Sequence, residues 1–333
     1  MIHQFELPII EMLQNAADSL GPFWSFISFL GDETFYMLFM PLVYWCVDAL
    51  AGFRIGVVLL LNTFCNGFLK MLFRSPRPYW VSDKIPPGAL HGSFGLPSGH
   101  AQGSIAVWGW TAVEVKKRWV TLVLALLVFL IGFSRLVLGV HFITDVLVGW
   151  LLGALLIWIF ARHLRQFRQN LLQMSLKTKL FWAFLTTILM ILLPVLVKIL
   201  YSSWQIPADW LARAGEIDPL SLKGALTNAG LWFGMTAGFS VLLHKKGILR
   251  AKQGDWQKLV RYLLGILGVF VLYAGLGRVF PRNLGVLSLF LRFLRYALVG
   301  LWVSWWSPVL FQKLGIGEID PSLPDPSAEP GGL

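Results

Sequence analysis

Polar and ionisable side chains gather in three clusters in the first half of an otherwise apolar sequence. The first cluster contains Lys70, Arg77 and Pro78, the second is residues 97–100, and the third is residues 134–145. Charged groups near a bilayer are costly, so several of them between apolar segments indicate function. Because cations hold phosphate oxygens and an imidazole can attack phosphorus, the clusters predict a phosphate pocket with a histidine nucleophile.

The first two clusters supply groups that can hold the oxygen atoms of a phosphate. Lys70 contributes a compact charge and Arg77 a planar fork, although basic residues at a membrane interface also occur simply as solvated side chains. Ser98 is a favourable N-cap, and Gly99 removes the side chain that would keep an anion away from the first helical amides. His100 then lies in that turn, against the phosphate. The alternative is an ordinary N-cap with a chance histidine.

The third cluster pairs a histidine with a carboxylate. Arg135 ends a predicted span, Gly139 marks a turn, and His141 and Asp145 are four residues apart, which places them on one face of a helix. A carboxylate bonded to one ring nitrogen fixes the tautomer, leaves the other nitrogen free to attack and stabilises the positive ring. Considered alone, the segment is also compatible with a buried structural pair.

Composition places the chain in a membrane. The 333 residues are 56% hydrophobic and 14% charged, whereas soluble domains are typically about 25% charged. The net charge of +11 is distributed in short runs between apolar segments, where membrane orientation explains it better than nucleic-acid binding. The sequence therefore predicts an integral membrane protein that binds no nucleic acid. Cys46 and Cys65 lie in apolar segments and are expected to be small buried hydrophobes.

We expect an all-α integral membrane fold with about nine transmembrane helices and an interfacial N-terminal helix. Residues 1–31 form the interfacial amphipathic segment, and residues 32–162 form a core that holds the three clusters. Residues 163–317 add four membrane helices, and the proline-rich residues 318–333 are expected to be disordered. The predicted spans, each of about 20 residues, are 33–50, 54–73, 98–115, 119–138, 142–162, 178–202, 224–243, 258–277 and 293–312.

Lysine and arginine positions predict the orientation. Residues 116–118, 162–179 and 244–258 lie on one side if nine helices alternate, and the positive-inside rule makes that side cytoplasmic. The three clusters then meet on the non-cytoplasmic face of a multi-pass protein, in a bacterial plasma membrane or an endoplasmic reticulum type of membrane. His91 and Lys84, in the connection between the first two clusters, are interpreted as solvated loop residues.

In this order and spacing, the clusters resemble the signature of the type 2 phosphatidic acid phosphatase superfamily, and every specified position is matched. The resemblance implies that His141 forms a phosphohistidine, that Asp145 orients it, and that His100 protonates the leaving oxygen and then activates water. It also implies the groups that hold the phosphoryl oxygens, namely Lys70, Arg77, Ser98, the amide of Gly99 and Arg135.

No metal or other cofactor is expected at this site. Three cations and a helix N-terminus can neutralise a phosphate without a metal ion. The clusters contain a single carboxylate, Asp145, whereas magnesium sites are built from clustered carboxylates. We therefore predict turnover that does not depend on a metal.

The expected substrate is a lipid phosphate, either a monoester or a pyrophosphate. The run of Gly31, Asp32 and Glu33 resembles sphingosine-phosphate phosphatases and many bacterial lipid phosphatases. Residues 77–80 instead resemble glucose-6-phosphatases, so a soluble sugar phosphate is the alternative. A phospholipid-binding transporter or flippase is the rival from another class. The pairing of His141 with Asp145 argues against it, because binding alone needs no oriented nucleophile.

Two further patterns lie in the C-terminal half. Gly230, Gly234 and Gly238 form a flat ridge, which indicates either a homodimer seam or close helix packing within the monomer. Four arginines gather towards the outer side, where they either attract anionic substrates or anchor the protein at the interface: Arg278, Arg282, Arg292 and Arg295.

Overall fold

The structure is a computed structural model that describes residues 2–250, 254–281 and 285–322. Arg282 and residues 323–333, to which two of the sequence predictions refer, lie outside this range. The α-helices are, in chain order, α1 (Ile2–Ala17), α2 (Gly21–Phe29), α3 (Glu33–Leu42), α4 (Ala49–Phe73), α5 (Pro78–Val81), α6 (Gly99–Ser104), α7 (Trp110–Val115), α8 (Arg118–Val137), α9 (Ile143–Gln173), α10 (Leu176–Leu200), α11 (Ala208–Ala214), α12 (Lys223–Lys245), α13 (Asp255–Phe270), α14 (Leu276–Val279), α15 (Val286–Leu301) and α16 (Ser307–Lys313).

Several of these helices continue into one another through π-helical turns. The joining turns are Ile105–Gly109, Val271–Gly275 and Trp302–Trp306, whereas Val43–Val47 extends α3 and ends at Asp48, where the backbone is extended. A π turn inserts an extra residue without ending the helix. The sequence from α6 to α7 is therefore one helix over residues 99–115, and it begins at the second polar cluster.

The protein is a multi-pass membrane protein. In the described residues, seven helical segments are long and apolar enough to cross a membrane, or eight if the pair α2 and Glu33–Val47, bent by 48°, counts as one span. The seven are Ala49–Val81, Arg118–Val137, Ile143–Gln173, Leu176–Leu200, Lys223–Lys245, Asp255–Val279 and Val286–Lys313. The helix over residues 99–115 is shorter than the roughly 20 residues that a span needs, so the count of nine stays a prediction.

The chain forms two compact units whose boundaries differ from the linear division predicted at residues 162 and 163. One unit, termed the site unit below, comprises Met1–Tyr36, Cys65–Trp158 and Leu193–Ser221. The other, termed the second unit, comprises Met37–Phe64, Ile159–Leu192 and Leu222–Leu333. Three of the five boundaries fall inside the long helices α4, α9 and α10, which a division by sequence position cannot anticipate.

Within the site unit, one face of the N-terminal helix α1 packs against the rest of the unit. Ile10 is fully buried, and Glu6, only 8% exposed, accepts a hydrogen bond from the amide of Thr144 at the start of α9. The opposite face carries Phe5, which is 79% exposed. An interfacial position for α1 stays a prediction. The same holds for residues 1–31 as a whole, of which α2 is part of the bent candidate pair.

In the second unit, the glycine ridge on α12 packs against α15. A Cβ at Gly230 would lie 2.5 Å from the carbonyl oxygen of Phe293, and a Cβ at Gly234 would clash with that of Ala297. Small residues every fourth position let two helix backbones approach closely. The ridge is thus used for packing within the monomer, the second of the two alternatives.

The segment after Gly317 forms a strand where disorder was predicted. Strand β1 (Ile248–Arg250) pairs antiparallel with β2 (Glu318–Asp320), and Leu249 lies opposite Ile319. Both of these apolar side chains are buried. The prediction of disorder from residue 318 onward is therefore wrong for the strand, because composition does not reveal a partner strand located seventy residues earlier.

Candidate active site

His141 lies between a carboxylate and a guanidinium group. Its Nδ1 is 3.1 Å from Oδ2 of Asp145, and the same oxygen accepts the amide of Phe142 at 3.0 Å. Its Nε2 is 3.2 Å from Nη1 of Arg77. Because a guanidinium group can only donate, Nε2 accepts and the ring proton is on Nδ1, facing Asp145. The side chains of His141 and Asp145 are 2% and 0% exposed, so the pair is shielded from water.

His141 lies in the turn between α8 and α9, and its surroundings favour the uncharged ring. Burial, reinforced by the positive charges of Arg77, Lys70 and Arg135, lowers the pKa of His141 well below the ordinary value of 6.5. At neutral pH the ring is therefore neutral, and the lone pair on Nε2 faces Arg77. A neutral imidazole in a cationic, water-excluding pocket is suited to act as a nucleophile.

Residues 93–95 hold the two cations of the first cluster. Arg77 donates from Nε to the carbonyl of Ser93 at 2.7 Å and from Nη2 to that of Phe94 at 3.2 Å. Lys70, in the last turn of α4, donates from Nζ to the carbonyls of Phe94 at 2.5 Å and Gly95 at 3.3 Å. Both side chains are buried. The connection between the first two clusters therefore folds back over the site and fixes both cations.

The second and third clusters are joined through backbone contacts. Ser98 caps α6, since its Oγ accepts the amide of Ala101 at 3.4 Å, and its own amide donates to the carbonyl of Asp145 at 2.9 Å. Gly149 on α9 allows this approach, because a Cβ there would lie 2.8 Å from the Ser98 carbonyl oxygen. Asn66 on α4 donates to the carbonyl of Pro97 at 3.2 Å. No spacing pattern in the sequence distinguishes Asn66 or Gly149 as a site residue.

His91 is a site residue, and the prediction that it is a solvated loop residue is wrong. Its Nε2 lies 2.8 Å from Nη2 of Arg135, and its amide donates to the Tyr79 hydroxyl at 2.9 Å. Burial and the charges of Arg77, Arg135 and Lys70 lower the pKa of His91 to about 2, so the neutral ring accepts from the guanidinium group. Lys84, in the same connection, is exposed as predicted.

His100 is the second imidazole of the site and has an acidic neighbour from the N-terminal part of the chain. Its Nε2 is 3.7 Å from Oδ2 of Asp32, and its ring centroid is 6.5 Å from that of His91. The positive charges of Arg135, Arg77 and Lys70 also act on this ring. In the sequence, Asp32 is notable only through a resemblance, which predicts no role for it in the site.

These contacts bring all three clusters together in one part of the site unit. Every residue selected from the sequence lies there, together with residues that spacing could not select, namely Ser28, Asp32, Asn66, His91 and Gly149. No group of three or more metal-binding side chains occurs among the described residues. A multi-pass fold with buried cations around an oriented imidazole defines an integral membrane phosphatase.

Comparison with known proteins gives the family. The PAP2 superfamily profile matches residues 51–169, and the profile for its phosphatase transmembrane extension matches residues 226–319. This chain belongs to the PAP2 superfamily and is a phosphoric monoester hydrolase.

Its relatives differ in what they act on. Glucose-6-phosphatase 3 of Mus musculus is 27% identical over 328 residues, which cover 86% of this chain and 89% of that protein. Sphingosine-1-phosphate phosphatase 2 of Homo sapiens is 30% identical over 140 residues, 40% of this chain and 35% of that protein. Lipid A 4'-phosphatase of Bacteroides thetaiotaomicron is 26% identical over 156 residues, 42% of this chain and 69% of that protein.

Proposed function

We propose that this protein hydrolyses the phosphate of a membrane lipid, a monoester or a pyrophosphate, through a phosphohistidine on His141 and without a metal ion. The observation that carries the proposal is the position of His141, with Nδ1 3.1 Å from Asp145 and Nε2 3.2 Å from Arg77. A nucleophile whose lone pair lies beside a fixed positive charge is pre-positioned for attack on phosphorus.

The proposed reaction has two steps. In the first, Nε2 of His141 attacks phosphorus, the bond to the leaving oxygen breaks, and His100 gives that oxygen a proton. Asp145 stabilises the positive ring. In the second, water attacks the phosphorus, His100 takes its proton, and the P–N bond breaks to release phosphate. The groups proposed to hold the phosphoryl oxygens are Lys70, Arg77, Ser98, the amide of Gly99 and Arg135.

A lipid substrate is supported by two of the relatives. Both the sphingosine-1-phosphate phosphatase and the lipid A phosphatase are named for lipid phosphates. A soluble sugar phosphate is the second candidate, because the similarity to glucose-6-phosphatase 3 extends over 86% of this chain. The transporter alternative is set aside, since the three relatives described above are all named as phosphatases.

We place the site on the non-cytoplasmic face. Helix α8 begins at Arg118, next to Lys116 and Lys117, and has Arg135 in its last turn. The basic start and the site end therefore lie at opposite ends of one span. The positive-inside rule assigns the basic end to the cytoplasm. A lipid headgroup in the non-cytoplasmic leaflet then has access to the site.

Two measurements on the purified full-length protein test the catalytic proposal. Phosphate release is followed with phosphatidate, a polyprenyl pyrophosphate, sphingosine phosphate and glucose 6-phosphate, and we expect the highest kcat/KM with one of the lipids. Radiolabelled substrate should leave an acid-labile, alkali-stable phosphohistidine. His141→Ala should abolish both label and turnover, whereas His163→Ala, an exposed histidine further along α9, should retain both. Turnover by His141→Ala would contradict the assigned nucleophile.

Thiol labelling tests the orientation. In a variant with Cys46 and Cys65 replaced by serine, a cysteine is introduced at Gly92, near the site, or at Lys117. A membrane-impermeant reagent added to intact cells should label Gly92→Cys and not Lys117→Cys. The reverse pattern would place the site on the cytoplasmic side.

A further inference from the structure

Asp32 lies at the break between α2 and α3 and makes two different contacts. Its Oδ1 accepts the amide of Thr34 at 2.8 Å and so caps α3. Its Oδ2 faces Nε2 of His100 at 3.7 Å, the distance of an ion pair rather than of a hydrogen bond. The side chains of Asp32 and His100 are 38% and 16% exposed. One oxygen therefore serves the helix, and the other is directed at the imidazole.

The backbone around Asp32 is fitted to the helix that carries His100. A Cβ at Gly31 would lie 3.4 Å from Cδ2 of His100 and 2.5 Å from Cγ2 of Ile131, so the chain passes close to the imidazole ring. Trp108 donates from Nε1 to the carbonyl of Leu30 at 3.2 Å. Because Trp108 and His100 belong to one helix over residues 99–115, the helix that positions the imidazole also holds the bend that carries the carboxylate.

The other charges of the site make a protonated His100 unfavourable. A general acid must carry its proton when the leaving oxygen departs. A bound phosphate contributes about −2, which is less than the positive charge around it, and Asp145 is engaged with His141. The remaining groups that act on His100 are the cations Lys70, Arg77 and Arg135 and the neutral ring of His91. The Asp32 carboxylate opposes them from the side of Nε2.

We propose that Asp32 is a positioning residue that orients His100 and holds it protonated for departure of the leaving group. The site then contains two histidine–aspartate pairs, His141 with Asp145 for the nucleophile and His100 with Asp32 for the acid. Asp32 exchanges no proton with the substrate, so the reaction balance is unchanged. The inference rests on the proposed function, in which His100 is the acid.

The dependence on the leaving group tests this inference. Nitrophenolate leaves without a proton, whereas the alkoxide of a phosphatidate needs one. In the purified full-length protein, Asp32→Asn should lower kcat for phosphatidate by about tenfold to a hundredfold, since general acid catalysis contributes about 10²–10⁴. We expect the rate of phosphohistidine formation from nitrophenyl phosphate to stay within about twofold of the wild-type value, because this step needs no general acid. The later hydrolysis, in which His100 is the base, is common to both substrates.

Two variants separate this role from helix capping. Asp32→Ser keeps a capping oxygen but cannot reach His100, so it should show the same selective loss. Asp48→Asn is the matched control, because Asp48 in the second unit caps α4 by accepting the amide of Ala51 at 2.6 Å. Asp48→Asn should leave the rates with both substrates unchanged. The inference would be overturned if the Asp32 variants slowed phosphohistidine formation equally from both substrates, or from neither. Absence of phosphohistidine in the wild-type protein would instead overturn the proposed function.

Discussion

Nε2 of His91 lies 2.8 Å from Nη2 of Arg135, although the two residues are 44 positions apart in the chain. The other terminal nitrogen of Arg135 donates to the hydroxyl of Ser28. The guanidinium plane is therefore fixed from two sides, by the connection that covers the site and by α2. Tyr79 anchors His91 in turn, through its hydroxyl. A cation held in this way needs little reorganisation to bind a phosphate.

Replacing His91 should weaken phosphate binding. Without the ring, Arg135 loses one of its two anchors, and a hydrogen bond to a charged group contributes about 1.5–3 kcal/mol. We expect His91→Ala to raise KM and the inhibition constant of inorganic phosphate by about tenfold, with a smaller change in kcat. Steady-state kinetics with phosphate as a competitive inhibitor measure both. Lys84→Ala, in the same connection, is the control, and equal constants for the two variants would show that His91 has no part in binding.

Replacing Asp145 should slow the chemical step. Asp145→Asn can offer Nδ1 an amide that donates instead of a carboxylate that accepts, which favours the wrong ring tautomer, and it removes the charge that stabilises the phosphorylated ring. We expect kcat and the rate of phosphohistidine formation to fall by about 10²–10⁴, with little change in KM. Rapid quenching of the labelled enzyme follows this rate. Asp209→Asn, an exposed carboxylate on α11, should behave as the wild type.

The lowered pKa of His141 makes the folded protein sensitive to acid. Because the pKa of His141 in the folded protein lies well below 6.5, the unfolded chain binds a proton that the folded chain does not. The contribution to stability is thus present above about pH 6.5 and is lost as the pH falls below it. His141→Gln cannot be protonated, so its thermal unfolding temperature should fall less than that of the wild type between about pH 7.5 and about pH 5.5. Parallel pH curves for the two proteins would contradict this expectation.

Chelation should leave the activity intact. The proposed phosphate ligands are cations, a hydroxyl and a helix N-terminus, which take the place that a metal ion has in other phosphoryl transfer sites. We expect the same kcat in excess EDTA as without it. A loss that added Mg²⁺ restores would show that charge neutralisation needs a metal ion. Phosphate release with and without the chelator is sufficient to decide.

The packing of α12 on α15 should depend on Gly234. An alanine there would bring its Cβ into the backbone of Ala297, a contact that can be relieved only if one helix moves. We expect Gly234→Ala to reduce stability by about 1–3 kcal/mol. Gly224→Ala, in the first turn of the same helix, is the control because a Cβ there would meet no other helix of the described residues within 4 Å. Thermal unfolding in detergent compares the two, and equal midpoints would mean that the helices can separate without cost.

The membrane class and the three clusters could be predicted from the sequence because both depend on local patterns. Long apolar segments identify helices that cross a bilayer, whatever their neighbours. His141 and Asp145 are four residues apart, so helix geometry alone brings them together. Each cluster lies at the end of a helix, but the meeting of the three helix ends depends on packing between separate segments.

The tertiary structure decided what local patterns cannot encode. Ser28 reaches the site from α2, and Asp32 and His91 reach it from connections. The positions of all three depend on packing, about which their distance along the chain carries no information. The same holds for the strand pair of residues 248–250 and 318–320, whose pairing needs both segments to meet. A spacing of three or four residues is converted into proximity by the geometry of one helix. Contacts between separate segments are set by the burial of side chains over the whole unit, and only the folded chain contains that information.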